Sequence, residues 1–168
     1  ALLVPALLYL PYSSAGAALF QGLGEYAARW AFNAVLFPLL EPLGRWPARA
    51  VAAAVVAGAA LLAAGRRRAT GRALFWTLGA ALLVSPTLHP WYLLWILPLA
   101  ALRRSLPWIA WTGLIFLAYA GLDTYRATGS WPHPPALAAL IHVPFLVLLA
   151  TAGLRRLRAA PLAEVAGR

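Results

Sequence analysis

Long apolar runs closed by clusters of arginine constrain this chain more than any other feature. The runs are 2–12, 47–65, 73–88, 91–102, 106–122 and 135–154. Several approach the roughly 20 residues that a helix needs to cross a bilayer. Arginine clusters follow at Arg66, Arg67, Arg68 and Arg72, then at Arg103 and Arg104, and last at Arg155, Arg156 and Arg158, after every second run. Cytoplasmic loops carry such clusters, so these three places are expected on the cytoplasmic side. That side then holds ten Arg with Glu164, while the other holds Arg29, Arg45, Arg49 and Arg126 with Glu25, Glu41 and Asp123. The bookkeeping closes without a conflict. The expected fold is an all-α, polytopic integral-membrane bundle of about six hydrophobic helical segments in the cell membrane.

Composition excludes the soluble alternatives. Of the 168 residues 63% are hydrophobic and 11% charged, and the mean hydropathy is +0.77. Water-soluble domains carry about 25% charged residues, so a soluble globule of this chain could not be covered. The net charge of +10 would suit nucleic acid, but all fourteen cations are Arg at the ends of apolar runs and line no single face, so no nucleic-acid partner is expected. Arg and Ala in place of Lys suggest GC-rich bacterial coding. Without Cys there is no disulfide, thiolate metal site or thiol nucleophile. Metalloprotease, phosphate-loop, dinucleotide and nucleophile-elbow patterns are missing too, and neither metal nor cofactor is expected. The chain has no Met and opens inside an apolar run, so it reads as the C-terminal portion of a larger protein, a single membrane domain over 1–168 with a cytoplasmic tail at 155–168.

Three stretches then face away from the cytoplasm: 13–46, the turn at 86–90, and 123–134. Within the first, residues 17–32 interleave Leu, Phe, Tyr and Trp with Gln21, Glu25 and Arg29 at spacings of four. One helical stripe carries all three, which predicts an interfacial helix. Its Glu25 and Arg29 either solubilise an exposed face or meet a polar ligand.

The second stretch is a broken hairpin. Only 30 residues separate Arg72 from Arg103, whereas two crossings need about 40. The turn is therefore expected on the order of 7 Å below the outer edge of the hydrocarbon. Ser85-Pro86-Thr87-Leu88-His89-Pro90-Trp91-Tyr92 breaks helix twice there. Non-helical backbone at such depth is tolerated only inside protein or along a wet cavity, and short proline-interrupted segments point to binding sites. His89 either donates to a phosphate, with Trp91, Tyr92 and Trp95 against a sugar or lipid chain, or bonds to backbone in a packed turn. His142, about six residues inside the last run, is either a functional group, as an ionisable residue at that depth, or, more cheaply, a neutral ring bonded to a carbonyl on a neighbouring helix. His133 reads as a loop residue, and Asp123 as an interface marker.

The segments Tyr26-Ala27-Ala28-Arg29-Trp30-Ala31-Phe32-Asn33 and Ser85 to Pro98, the latter joining a Pro-bounded His to Trp-Tyr and a further Pro, carry a resemblance. The chain resembles the later part of bacterial polyprenol-phosphate-mannose-dependent mannosyltransferases, the GT-C glycosyltransferases of family 87, from the 22–36 loop to the Arg-rich tail. The resemblance implies transfer of a hexose, mannose above all, from a polyprenyl-phosphate donor to a lipid or glycan acceptor on the extracytoplasmic side. It implies that His89, Trp91, Tyr92 and Arg29 contact the donor phosphate and lipid, and that Trp30, Asn33 and Glu25 line the cavity. The family's catalytic base is an Asp in the first outer loop. No residue here matches it, so it is expected upstream of residue 1 and the fragment alone is expected to be inactive. A half of a transporter or flippase for a lipid-linked substrate, or a structural membrane subunit, would also suit a broken hairpin.

Overall fold

The computed structural model describes residues 3–65, 70–132 and 134–166, with the side chains of 3, 5, 6, 27, 29 and 156–166 left aside. His133, Arg66 to Arg68 and Arg168 lie outside the described residues, as do the side chains of Arg156 and Arg158. The elements are α1 (Leu3–Tyr9), a 3-10 segment (Leu10–Phe20), α2 (Gln21–Arg29), α3 (Arg45–Gly65), α4 (Thr70–Val84), a 3-10 turn (Pro90–Trp95), α5 (Leu97–Leu102), α6 (Leu106–Leu114), a 3-10 stretch (Ile115–Gly121), α7 (Leu122–Thr128) and α8 (Pro135–Ala166). The fold is all-α. Its only pairing of β type among the described residues is one parallel bridge between Phe32 and Thr87.

Among the described residues, three helices are long and apolar enough to cross a membrane: α3 at 45–65, the continuous helical stretch 106–128, and 135–155 within α8. The first apolar run is different, because helix α1 spans 7 residues before the chain tightens into 3-10 geometry and Gly16 turns to φ 52°. Of the stretch 17–32 expected to be helical, residues 21–29 form α2, whose 9 residues hold Gln21, Glu25 and Arg29. The run 91–102 is not one helix either: proline in the first turn of each piece starts a 3-10 turn at Pro90 and a new helix with Pro98.

The chain forms two compact units, residues 1–31 and 32–168. In the first, Tyr9 faces Phe20 with ring centroids 6.5 Å apart, and Tyr26 lies 5.4 Å from Trp30.

In the second unit α3 and α4 pack closely because α3 turns small residues inward, with Ala48 and Ala52 buried beside Phe37 and Val84. Lipid is as apolar as leucine, so helix association there depends on such close approach. Gly79 does the same for α4, since a Cβ at this position would lie 3.1 Å from the Trp108 ring. The core is aromatic: Trp111 stacks on Phe145 at 4.0 Å, and Trp108 meets Phe75 and Phe145 edge-on at 5.7 and 5.1 Å. These contacts set α6 and α8 antiparallel. The guanidinium of Arg103 lies 4.9 Å from the Phe75 ring centre, which closes the broken hairpin at its arginine-bearing end. The 32–36 loop, the 85–90 break and Trp131 gather at the opposite end, as the contacts of Phe32 with Pro86, Leu88, His89 and Trp131 require.

Candidate functional site

Helix α4 stops at Val84 because Pro86 cannot continue it, leaving carbonyls without helical donors. The 32–36 loop supplies what is missing. Leu36 N–H donates to the Leu83 carbonyl at 3.1 Å, Phe32 N–H to the Pro86 carbonyl at 3.0 Å, and Leu88 N–H to the Phe32 carbonyl at 2.7 Å. Ser85 Oγ donates to the Thr87 carbonyl at 2.5 Å. Thr87, Leu88 and Pro90 are buried. The break is thus enclosed in protein, one of the two circumstances in which irregular backbone survives at membrane depth.

His89 emerges from this turn half-buried, within an aromatic box. Its ring stacks on Trp91 at 4.3 Å and 5°, meets Tyr92 edge-on at 5.3 Å, and lies 5.4 Å from Phe32. Tyr92 stacks in turn on Trp95 at 4.8 Å. Trp91 and Trp95 leave 46% and 59% of their surface exposed, so the box opens onto an aromatic apron. The imidazole sits in the middle of this apron, an arrangement suited to a polar group on an apolar chain.

A second polar cluster lies on the other side of Phe32. Trp111 Nε1–H donates to His142 Nδ1 at 3.2 Å, and His142 Nε2 lies 3.2 Å from Asn33 Oδ1. Indole nitrogen only donates, so Nδ1 is the acceptor; Nε2 then carries the proton and donates to Asn33 Oδ1. One bond thereby fixes the tautomer and the orientation of the Asn33 amide. The amide's Nδ2 is left buried with no partner among the described residues. Asn33 holds φ at 54°, in the left-handed region that Asn tolerates better than most residues. The sequence reading of His142 as a neutral ring is matched in kind, although the carbonyl it meets belongs to a side chain on a loop.

The site residues expected from sequence fall into three groups. His89, Trp91 and Tyr92 come together. Asn33 joins His142 instead, one residue after the bridge that holds its loop on the break. Glu25, Arg29 and Trp30 belong to the first unit; Glu25 and Trp30 are exposed there, and the Arg29 side chain lies outside those described. Arg49, on the first turns of α3, lies beside the break. Its guanidinium lies 5.4 Å from the Phe37 ring centre, and the residue shares a cleft of about 220 Å³ with Ser85 and Pro86. From sequence Arg49 counted only toward topology. Its position four residues after Arg45, at the start of a span whose other end leads to α4, was the available signal. Phe32, Trp111 and Trp131 gave none, because aromatics at such spacing are ordinary core. No grouping of His, Asp and Glu among the described residues could hold a metal ion.

No protein-family model, no curated protein and no solved structure matches this chain.

Proposed function

We propose that this chain is the donor-binding part of a membrane glycosyltransferase of the GT-C type, taking a polyprenyl-phosphate-linked hexose, with mannose the first choice. The observation that carries the reading is the His89 box: a Pro-bounded imidazole, ringed by Phe32, Trp91 and Tyr92, at the tip of a broken hairpin. A polyprenyl phosphate presents a charged head on an apolar chain, and this box offers a donor to the first and aromatic surface to the second. Loss of the sugar leaves charge on the lipid phosphate, so groups placed to stabilise that charge lower the barrier. His89 takes this role, with Arg49, which lines a cleft with Ser85 and Pro86, as a cation beside the break. The acceptor hydroxyl needs a general base, which the resemblance assigns to an Asp that no residue of this chain matches.

The proposed topology is multi-pass, with Arg72, Arg103, Arg104 and Arg155 cytoplasmic and the His89 end extracytoplasmic. Two observations support it: Arg103 reaches Phe75 at one end of the hairpin, and the loops holding Phe32, His89 and Trp131 meet at the other. The test is binding of a polyprenyl phosphate to the wild-type chain and to His89→Ala; equal affinity would overturn the assignment of His89.

A further inference from the structure

Helices α3, α4, α6 and α8 leave a gap of about 300 Å³ where they meet, with Leu62, Trp76, Gly79, Leu83, Trp108 and Leu149 in its wall. Gly79 and Trp108 are buried and close it on the inside, since a Cβ on Gly79 would already lie 3.1 Å from the Trp108 ring. Leu62 and Trp76 stand at its mouth, 63% and 43% exposed. The described lining is made of Ala, Leu, Gly and Trp alone. Apolar cavities stay free of water and take apolar molecules. Three of the four helices around this one are long and apolar enough to cross a membrane, so its mouth faces hydrocarbon and an alkyl chain is what fills it. Its volume equals that of about ten waters or, at similar size per group, about ten methylenes.

Two arginines decide which lipid carries that chain. Phe75 meets the lining residues Trp76 and Trp108 edge-on, both at 5.7 Å, and the Arg103 guanidinium lies 4.9 Å from the Phe75 ring centre. Arg72 is exposed four residues before Trp76, on the same face of α4. One cation therefore stands one ring from the cavity wall and the other one helical turn from it. No carboxylate pairs with Arg103 among the described residues. A neutral lipid would fill the cavity and leave both cations unanswered. A phospholipid with a net negative head answers cavity and cations together, as basic pockets between membrane helices do.

We propose that this cavity holds one acyl chain of an anionic phospholipid of the surrounding bilayer, with its headgroup phosphate at Arg103 and Arg72. The lipid closes the gap that the small residues of α3 and α4 leave open. The site lies apart from the His89 turn and does not depend on the glycosyltransferase reading.

The experiment titrates the full chain, in dodecyl maltoside micelles, with dioleoyl phosphatidylglycerol and dioleoyl phosphatidylcholine, counting bound lipid by native mass spectrometry. Phosphatidylglycerol is expected to occupy one site roughly tenfold more tightly than phosphatidylcholine, the equivalent of one hydrogen bond to a charged group. Arg103→Gln removes that preference, and Arg103→Lys keeps most of it. Ala80→Leu fills the cavity, weakens phosphatidylglycerol on the order of tenfold, and leaves the lipid-free thermal midpoint unchanged or raised. If that variant does not fold, Arg103→Gln decides. Equal affinity for the two lipids in wild type, or wild-type affinity for phosphatidylglycerol in folded Ala80→Leu or Arg103→Gln, overturns the proposal. So does displacement of phosphatidylglycerol by an equal concentration of polyprenyl phosphate, which would give the cavity to that lipid instead. His89→Ala leaves phosphatidylglycerol binding unchanged, so failure of the donor reading is told apart from failure here.

Discussion

At the scale of the residue, a few neutral polar groups hold loops onto an apolar bundle. His142 is the clearest case, since it joins α6 through Trp111 to the 32–36 loop through Asn33. Replacing His142 by Phe keeps an aromatic ring in the core but strands a buried indole donor and adds a second unpaired amide group. Each stranded group costs about 1–3 kcal/mol, so His142→Phe is expected to lower unfolding stability in micelles by at least that amount. An unchanged urea midpoint would mean that the network adds nothing. This role was half visible in the sequence. A histidine six residues inside an apolar run must find a partner, but nothing in the spacing of Asn33 and His142, 109 positions apart, says which. The same holds for Phe32 on Pro86 and Arg49 beside Ser85, contacts created by tertiary closure.

At the scale of the element, the legible features were those set by length and by proline. The shortness of the 73–102 hairpin, its two breaks and the amphipathic α2 all follow from counting residues and locating Pro, Gly and charge. The tightening of the first run into 3-10 geometry after Tyr9 does not, because its apolar composition suits either geometry equally well. Helix packing turns on small residues whose neighbours only the fold supplies. Gly79 is one of these, with a Cβ 3.1 Å from Trp108. Gly79→Val overpacks the contact between α4 and α6 and should cost about 1–3 kcal/mol, read as a lowered thermal midpoint in the same micelles. Gly58 and Gly113, which have open space around the added carbon, are the controls and should tolerate Ala nearly silently.

At the scale of the whole molecule, the proposed topology puts the described arginines Arg72, Arg103, Arg104 and Arg155 on one side of the membrane and the His89 turn on the other. Since the chain contains no Cys, single cysteines report on sidedness without background. Ser130→Cys, exposed beside Trp131, should label with an impermeant maleimide added outside intact cells, whereas Arg104→Cys, exposed after α5, should label only after permeabilisation. The reverse pattern would invert the proposed topology. The central claim is that the far end, with its broken hairpin and aromatic box, receives a lipid-linked phosphate. Its most direct test is the affinity of the chain in nanodiscs for a short polyprenyl phosphate, with His89→Ala beside wild type and thermal midpoints checked for both. A hydrogen bond to a charged group is worth about ten- to a hundredfold in affinity, so the variant is expected to bind at least tenfold more weakly. Wild-type affinity in a folded His89→Ala chain would contradict the account.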